Sequence, residues 1–276
     1  MAITTQDGLV SGLGGGQRLI VNKASITVTA NRMISLWSAT GQPGTGDTTT
    51  GQLSAGAVPT SATSGAITFS NPTGGAFSYL ARVAGVSNAT TTSGMLVMYD
   101  ILWMWTSGGS GWSSSSTALQ STASPAALTR PDSTGTGTEL WVESIASNTG
   151  NSASGTSTIT YTNAAGTGSR TASLLTTKVS GPGIGTIEKY ALASGDTGVR
   201  SVQSLQNSAT WNGGSYRLMI VRRLAELPIV ATTGFLYDAF DLGMPRVYDS
   251  ACLGMALESA STTTGPLLMT LTLAQG

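Results

Sequence analysis

Histidine is absent from the 276-residue sequence, and cysteine occurs only once, as Cys252. Catalytic arrangements of the Ser-His-Asp and Cys-His types are therefore excluded, because the chain has no imidazole to activate a nucleophile. Zinc sites built from nitrogen and sulfur ligands are also excluded, because they need several His or Cys side chains and the chain has one Cys and no His. A lone thiol among apolar neighbours forms no disulfide framework, so we expect Cys252 to be a buried, unreactive side chain.

Charged side chains are also scarce. They make up 9% of the residues, and 13 basic and 13 acidic side chains cancel to a net charge of zero. Such a balance gives no electrostatic attraction for nucleic acid or for an anionic membrane, so we expect neither as a partner. The N-terminal sequence lacks the pattern of a signal peptide, and no apolar run is long enough for a membrane helix, which predicts synthesis and retention in a cytoplasm.

No catalytic, cofactor or metal site is predicted. The glycine-rich residues 12–16 lack the spacing of a dinucleotide-binding loop, and no phosphate-binding loop occurs. Paired carboxylates could still hydrolyse glycosides, but Glu143 and Glu258 occupy matching places in the two halves of the chain, which favours a structural role. The acidic residues between 238 and 249 lack the spacing of a calcium loop. We therefore expect no enzymatic activity.

The sequence pattern is typical of an all-β protein. From Ala24 onward, short runs rich in Val, Ile, Thr, Tyr and Trp are separated by Gly, Ser, Asn and Pro. Ile159 and Tyr161 alternate with threonines, which predicts a strand with one buried and one solvated face. Residues 6–20 contain the best candidate for a short helix, with Asp7 as its candidate cap.

An internal repeat predicts the domain organisation. Four pairs of similar segments occur in the same order in both halves, beginning at Arg32 and Arg170, Val83 and Val202, Leu140 and Met255, and Ile159 and Met269. We therefore predict two tandem, similar β-sandwich domains of the jelly-roll type, at residues 25–166 and 167–276. An N-terminal arm with the short helix, residues 1–24, precedes them.

Five apolar side chains are candidates for an interface with other subunits. Trp103, Trp105 and Trp112 lie within ten residues of one another, and the first two share one side of a predicted strand. Exposed, they could anchor an interface or stack on sugars, and buried, they would belong to the core. Leu9 and Leu13 of the predicted helix complete the set.

Several longer stretches carry a family resemblance. They are Tyr190-Ala-Leu-Ala-Ser-Gly-Asp-Thr-Gly-Val-Arg-Ser, Tyr216-Arg-Leu-Met-Ile-Val-Arg-Arg-Leu-Ala-Glu-Leu-Pro, Met98-Tyr-Asp-Ile-Leu-Trp, Ile159-Thr-Tyr-Thr-Asn-Ala-Ala-Gly and Leu242-Gly-Met-Pro-Arg-Val-Tyr-Asp-Ser-Ala-Cys-Leu. Together they resemble a family of structural proteins that tailed bacteriophages encode near their head genes. None of these stretches is a catalytic signature.

The resemblance implies membership of the virion. Within the virion we expect a capsid decoration or cement protein, which binds the assembled head lattice and stabilises it. The implied partners are the major capsid protein and further copies of the chain in a homotrimer. The implied location is the surface of the phage head, after assembly in the bacterial host cytoplasm. A tail, baseplate or head-to-tail connector component and a host-glycan-binding module stay open as alternatives.

Overall fold

A computed structural model describes the chain at residues 2–27, 31–46, 48, 56–88, 93–107, 119–121, 128–146, 156–176, 181–208, 215–259 and 262–276. These residues are mostly β-structure, so the prediction of an all-β fold is confirmed. The helices are α1 (Gln6–Gly14) and α2 (Ala239–Leu242), with a 3₁₀ turn at Leu36–Ser38. The strands are β1 (Gln17–Lys23), β2 (Arg32–Ser35), β3 (Gly41–Gln42), β4 (Ser78–Ser87), β5 (Gly94–Thr106), β6 (Leu119–Ser121), β7 (Thr138–Ala146), β8 (Ser157–Asn163), β9 (Arg170–Leu174), β10 (Thr186–Ala191), β11 (Val199–Asn207), β12 (Ser215–Ile229), β13 (Gly234–Tyr237), β14 (Arg246–Val247), β15 (Leu253–Ser259) and β16 (Leu267–Gln275).

Six strands close into a barrel. Around the ring the order is β2, β15, β5, β12, β7 and β10, all neighbours are antiparallel, and β10 pairs with β2 again. Thr186 pairs with Ile34 and Ile187 with Met33 at this closing seam. In a closed ring every strand has a hydrogen-bonding neighbour on each side, so the barrel lacks the two open edges of a flat sheet.

Large side chains fill the barrel interior. Tyr99 and Trp141 pack edge to face with their ring centroids 4.9 Å apart, and the Arg217 guanidinium lies 4.8 Å from the centroid of Trp37. Arg217 also donates to Glu143 at 2.8 Å, and both side chains are almost completely buried. A small barrel is wide enough only for side chains, so this interior is a packed core.

Two further layers pack against the outside of the barrel. On one side lies a sheet with the order β13-β4-β16-β1-β3, in which β14 also pairs with β4. On the other side, β9, β8 and β11 continue from β10 and enclose a second core. The long strand β5 contributes side chains to the cores beneath both layers. Leu96 and Met98 pack in the first core, and Leu102 and Trp103 pack in the second.

The prediction of two tandem sandwiches is not confirmed. The expected boundary near residue 166 lies in the turn of the hairpin of β8 and β9, where Thr158 pairs with Ser173 and Tyr161 with Arg170. Around the barrel, strands that precede this boundary alternate one by one with strands that follow it. Each half therefore finds its hydrogen-bonding neighbours in the other half.

The N-terminal segment is integrated into the fold. The Thr5 side chain caps α1 by accepting from Gly8 N–H at 3.0 Å, whereas Asp7, the candidate cap, lies in the first turn. Residues 17–23, expected to be part of an arm, form β1, which pairs with β16 along its whole length. A Cβ at Gly16 would lie 2.0 Å from the Leu273 carbonyl oxygen, so only glycine allows this close approach.

Trp37 occupies one end of the barrel core. Its indole N–H donates to the Ser64 carbonyl at 3.0 Å, and the backbone at Gly46 and Gly65 lies against its ring. A Cβ at Gly46 would lie 1.4 Å from the ring, whereas a Cβ at Gly44 would have no atom within 4 Å.

Replacement of Gly46 therefore tests how tightly Trp37 is held. We expect Gly46→Ala to lower the free energy of unfolding by about 1–3 kcal/mol, because the indole must shift within a packed core. The control, Gly44→Ala, changes it by less than about 0.5 kcal/mol. Urea unfolding followed by tryptophan fluorescence measures both, and equal stabilities would contradict this packing.

Lys23 is a buried cation with three backbone partners. Its ammonium group donates to the carbonyl oxygens of Ala39 at 3.1 Å, Pro43 at 2.7 Å and Gly44 at 3.1 Å. Burial lowers the pKa of Lys23 from 10.5 to about 8. The ammonium group therefore holds the chain after β3 beneath the sheet.

The lowered pKa of Lys23 makes its contribution to stability depend on pH. Below pH 8 the group is charged in both states, and between about pH 8 and 10.5 only the unfolded state keeps its proton, so stability rises with pH. We expect the difference in unfolding free energy between the native chain and Lys23→Met to shift by about 3 kcal/mol in favour of the native chain from pH 7 to 10.5. Other titrating groups contribute equally to both proteins, so they drop out of this difference. A difference in unfolding free energy that does not change with pH would refute the lowered pKa of Lys23.

Candidate interaction surface

The acidic side chains considered for catalysis have structural partners. Glu143 binds Arg217 inside the barrel, and Glu258 binds Lys189 at 3.1 Å on β10. Farther from the barrel, Arg170 and Tyr161 donate to Asp196, and these bonds lower the pKa of that carboxyl to about 2. These carboxylates therefore have structural roles as partners of Arg217, Lys189 and Arg170.

The predicted acidic cluster near residue 240 forms a helix cap. The Asp238 side chain accepts from the N–H groups of Phe240 and Asp241, while Asp241 accepts from Asp238 N–H. Within the described ranges, no group of three or more His, Cys, Asp or Glu side chains could hold a metal ion. No helix in the same ranges is long and apolar enough to cross a membrane.

A buried ion pair on the barrel wall connects four segments of the chain. Asp100 on β5 accepts from Arg130 through both carboxylate oxygens and from Cys252 N–H at 2.9 Å. Arg130 donates further to the carbonyl oxygens of Pro59 and Ile101, each at 2.7 Å. Burial also raises the pKa of the Cys252 thiol, so this side chain stays protonated.

The residues predicted to form an interface have different positions in the structure. Trp103 and Trp105 are buried in the core between the barrel and β8, so they are unavailable to another chain. Both faces of their strand, β5, are buried, and the sequence of one strand does not show whether its second face is covered. Leu9 and Leu13 are half-buried on α1. Trp112 lies outside the described residues.

An exposed apolar surface lies elsewhere, on the outer face of the sheet formed by β13, β4, β16, β1 and β3. Leu236, Ala84, Thr270 and Ile20 form one row across four strands of this sheet. Ile20 is 64% exposed and Leu236 is 61% exposed, while Leu268 in the next row is 52% exposed. We call this surface the outer face.

Two arginines lie in the adjacent row of the outer face. Arg82 and Arg18 flank Thr272 on the central strand, and both are exposed. Neither side chain has a hydrogen bond or ion pair with any part of the chain that the structure describes. A shallow hollow of about 300 Å³ separates this row from Leu236 and is bordered by Leu13 of α1. The outer face is therefore apolar and basic, with no acidic side chain among its strand positions.

Sequence patterns alone do not predict this surface. The alternation Arg18-Leu-Ile-Val-Asn is a strand signal, but it follows a glycine run and falls within the predicted arm. In β16, both alternating sets contain apolar residues, so the sequence does not show that Leu268 faces outward. Only the register of β16 with β1 and β4 places Leu268, Ile20 and Leu236 on one face.

Removal of one partner from the Asp100–Arg130 pair should be costly. We expect Arg130→Met to lower the free energy of unfolding by about 3–5 kcal/mol, because Asp100 would stay buried without its counter-charge. Adding Asp100→Asn should restore part of this loss. Lys189→Met, which breaks a partly exposed pair, serves as the control and should cost about 0–1 kcal/mol. Chemical denaturation measures all three variants, and equal losses for Arg130→Met and Lys189→Met would contradict the assigned roles.

Comparisons with known proteins give no family. The chain matches no protein-family model and no curated protein sequence. Among solved structures, the VP2 subviral particle of infectious bursal disease virus aligns with 94% of this chain and 79% of its own, at 9% identity and a TM-score of 0.23. The structure of the Gt strain of that virus aligns with 94% and 80% at 10% identity and a TM-score of 0.18. These TM-scores do not establish a shared fold.

Proposed function

We propose that this chain is a structural protein of a bacteriophage virion that decorates the assembled head. In this proposal the outer face binds the major capsid protein, and the chain has no enzymatic activity. It associates with itself, as a homotrimer, on the surface of the phage head, and it binds neither nucleic acid nor membrane. The resemblance of Tyr190-Ala-Leu-Ala-Ser-Gly and the related stretches supports the virion role.

The observation that carries the proposal is the exposed outer face. Three large apolar side chains and two arginines without partners lie together on a rigid sheet. Exposed apolar patches of this kind mark surfaces that another protein covers. The inner face of the sheet packs against the outside of the barrel through a hydrophobic core, so binding would need little rearrangement and therefore little loss of conformational entropy.

The proposed mechanism is stabilisation by mass action. A protein that binds only the assembled shell stabilises that state in proportion to its occupancy and affinity. Each contact can be modest, because many copies act on one particle. The low charge of the chain suits such contacts, since burying an unpaired charge is costly.

The alternatives make different demands on the molecule. A tail, baseplate or connector component would use the same kind of surface at a much lower copy number. A glycan-binding module would use exposed aromatic rings. Trp37, Trp103, Trp105 and Trp141 are buried, whereas Phe240 is 84% exposed. The described tryptophans therefore give no support to sugar binding.

Binding to purified heads tests the proposal. Heads of the encoding phage, prepared without this chain, should bind the purified protein at on the order of hundreds of copies per particle, as lattice symmetry requires. Leu268→Asp and Leu236→Asp should each weaken binding at least about tenfold, because they place a charge in the apolar contact.

Leu175→Asp is the matched control, because Leu175 is 58% exposed but follows β9, which belongs to a different sheet from the strands of the outer face. It should bind as the native chain does. Saturation at about a dozen copies would indicate a connector or tail ring instead. Absence of binding, or equal binding by Leu268→Asp and the native chain, would refute the decoration role of the outer face.

A further inference from the structure

Strand β1 has an open hydrogen-bonding edge. One edge pairs with β16 along the whole strand, but the other pairs with β3 only at Asn22 and Lys23. The next bond across this edge joins Ala24 N–H to the Thr40 carbonyl. Because main-chain groups alternate along an antiparallel strand, Ile20 and Arg18 direct their N–H and C=O groups to the same edge.

Nothing in the described part of the chain pairs with the main-chain groups of Ile20 and Arg18 on that edge. The cause lies in the residues after β3. Pro43 has no N–H to donate, and Lys23 binds the carbonyl oxygens of Pro43 and Gly44 below the sheet. The chain therefore leaves the edge after Gln42, at the point where the next residue pair would have formed.

A gap follows the open edge. Beyond it lies the segment 67–70, whose apolar residues Ile67 and Phe69 are buried in the core. Gln17 spans this gap with its side chain, donating to the Ser70 carbonyl at 2.6 Å and accepting from Ser70 N–H at 2.7 Å. The Gln17 amide thus makes the two bonds that a peptide group of an intervening strand would make.

The rest of the gap is a hollow of about 330 Å³. Arg18, Leu19 and Ile20 line one side, Gln42 and Pro43 one end, and Ile67 and Thr68 the opposite side. Its walls therefore combine unpaired main-chain groups, apolar side chains and the guanidinium of Arg18, which has no acidic partner in the described residues.

We propose that the open edge of β1 is a strand-addition site for an extended segment of another protein that carries an acidic side chain. The added strand would bond to Ile20 and Arg18 and continue the sheet, as in other complexes formed by strand addition. Cross-strand pairing would place its acidic residue beside Arg18 and an apolar residue beside Ile20. This site does not depend on the proposed virion role.

Hydrogen exchange in the free chain tests the open edge itself. The amides of Arg18 and Ile20 should exchange at least about 100-fold faster than those of Leu19 and Val21, which bond to β16 in the same strand. Comparable protection of all four amides would overturn the proposal. Protection of Arg18 and Ile20 that appears only at high protein concentration would assign the edge to a second copy, and this outcome would also overturn it.

A displayed library of random ten-residue peptides, selected against the full chain, tests strand addition. Recovered peptides should contain an acidic residue within an alternating apolar pattern, and they should slow the exchange of Arg18 and Ile20 amides about tenfold. Ile20→Pro removes an N–H that is unpaired in the free chain, so proline is tolerated there as on other strand edges. This variant should bind the peptides at least about tenfold more weakly.

Ile20→Val is the matched control, because it keeps the N–H and the apolar side chain, and it should bind within about twofold of the native chain. Arg18→Glu gives a second readout that leaves the main chain intact, and it should also bind at least about tenfold more weakly. Recovery of no peptide, or equal binding by the native chain and both Ile20→Pro and Arg18→Glu, would overturn the proposal. Because no phage particle is used, such a failure is distinguishable from failure of the head-binding role.

Discussion

Closure of the barrel by β2 and β10 is the constraint on which the rest of the structure depends. Without this seam the six strands would be an open sheet, and the interior group of Trp37, Tyr99, Trp141 and Arg217 would be exposed to water. Both outer layers pack against the outside of the closed ring, so each of them depends on it for its core. Because strands from the two halves of the chain alternate around the ring, the seam forms only when residues 32–35 meet residues 186–187, far along the sequence.

The few charges of the chain serve two different purposes. Among the buried groups, Glu143–Arg217 joins directly paired residues of β7 and β12, and Asp100–Arg130 joins β5 to the segment that contains Arg130. A buried pair of this kind adds little net stability compared with apolar residues, but loss of one partner is costly, so it favours one arrangement of strands. On the outer face, Arg18 and Arg82 have no partner in the described residues. The contrast between the ion-paired charges inside and the unpaired cations on an apolar face is what supports a binding role for that face.

The sequence predicts strand identity much better than strand arrangement. Alternation located β8 around Ile159 and Tyr161, and the predicted strand with Trp103 and Trp105 is β5, because these signals are local. The internal similarity of segments suggested two tandem domains, but similarity does not encode which strands are neighbours, and the structure pairs strands across the expected boundary. Local signals do not separate β1 from the predicted arm, because Arg18-Leu-Ile-Val-Asn directly follows a glycine run. The outer face is not predictable from the sequence for a different reason, since Ile20, Leu236 and Leu268 become neighbours only through register.

The proposed decoration role is tested most directly by a cryo-electron microscopy reconstruction of a phage particle whose genome encodes this chain. We expect the chain to lie on the head, with the outer face covered by a capsid subunit and Leu268 and Leu236 buried in the contact. Absence of the chain from the particle, or a position on the head with Leu268 and Leu236 exposed to solvent, would contradict the proposal.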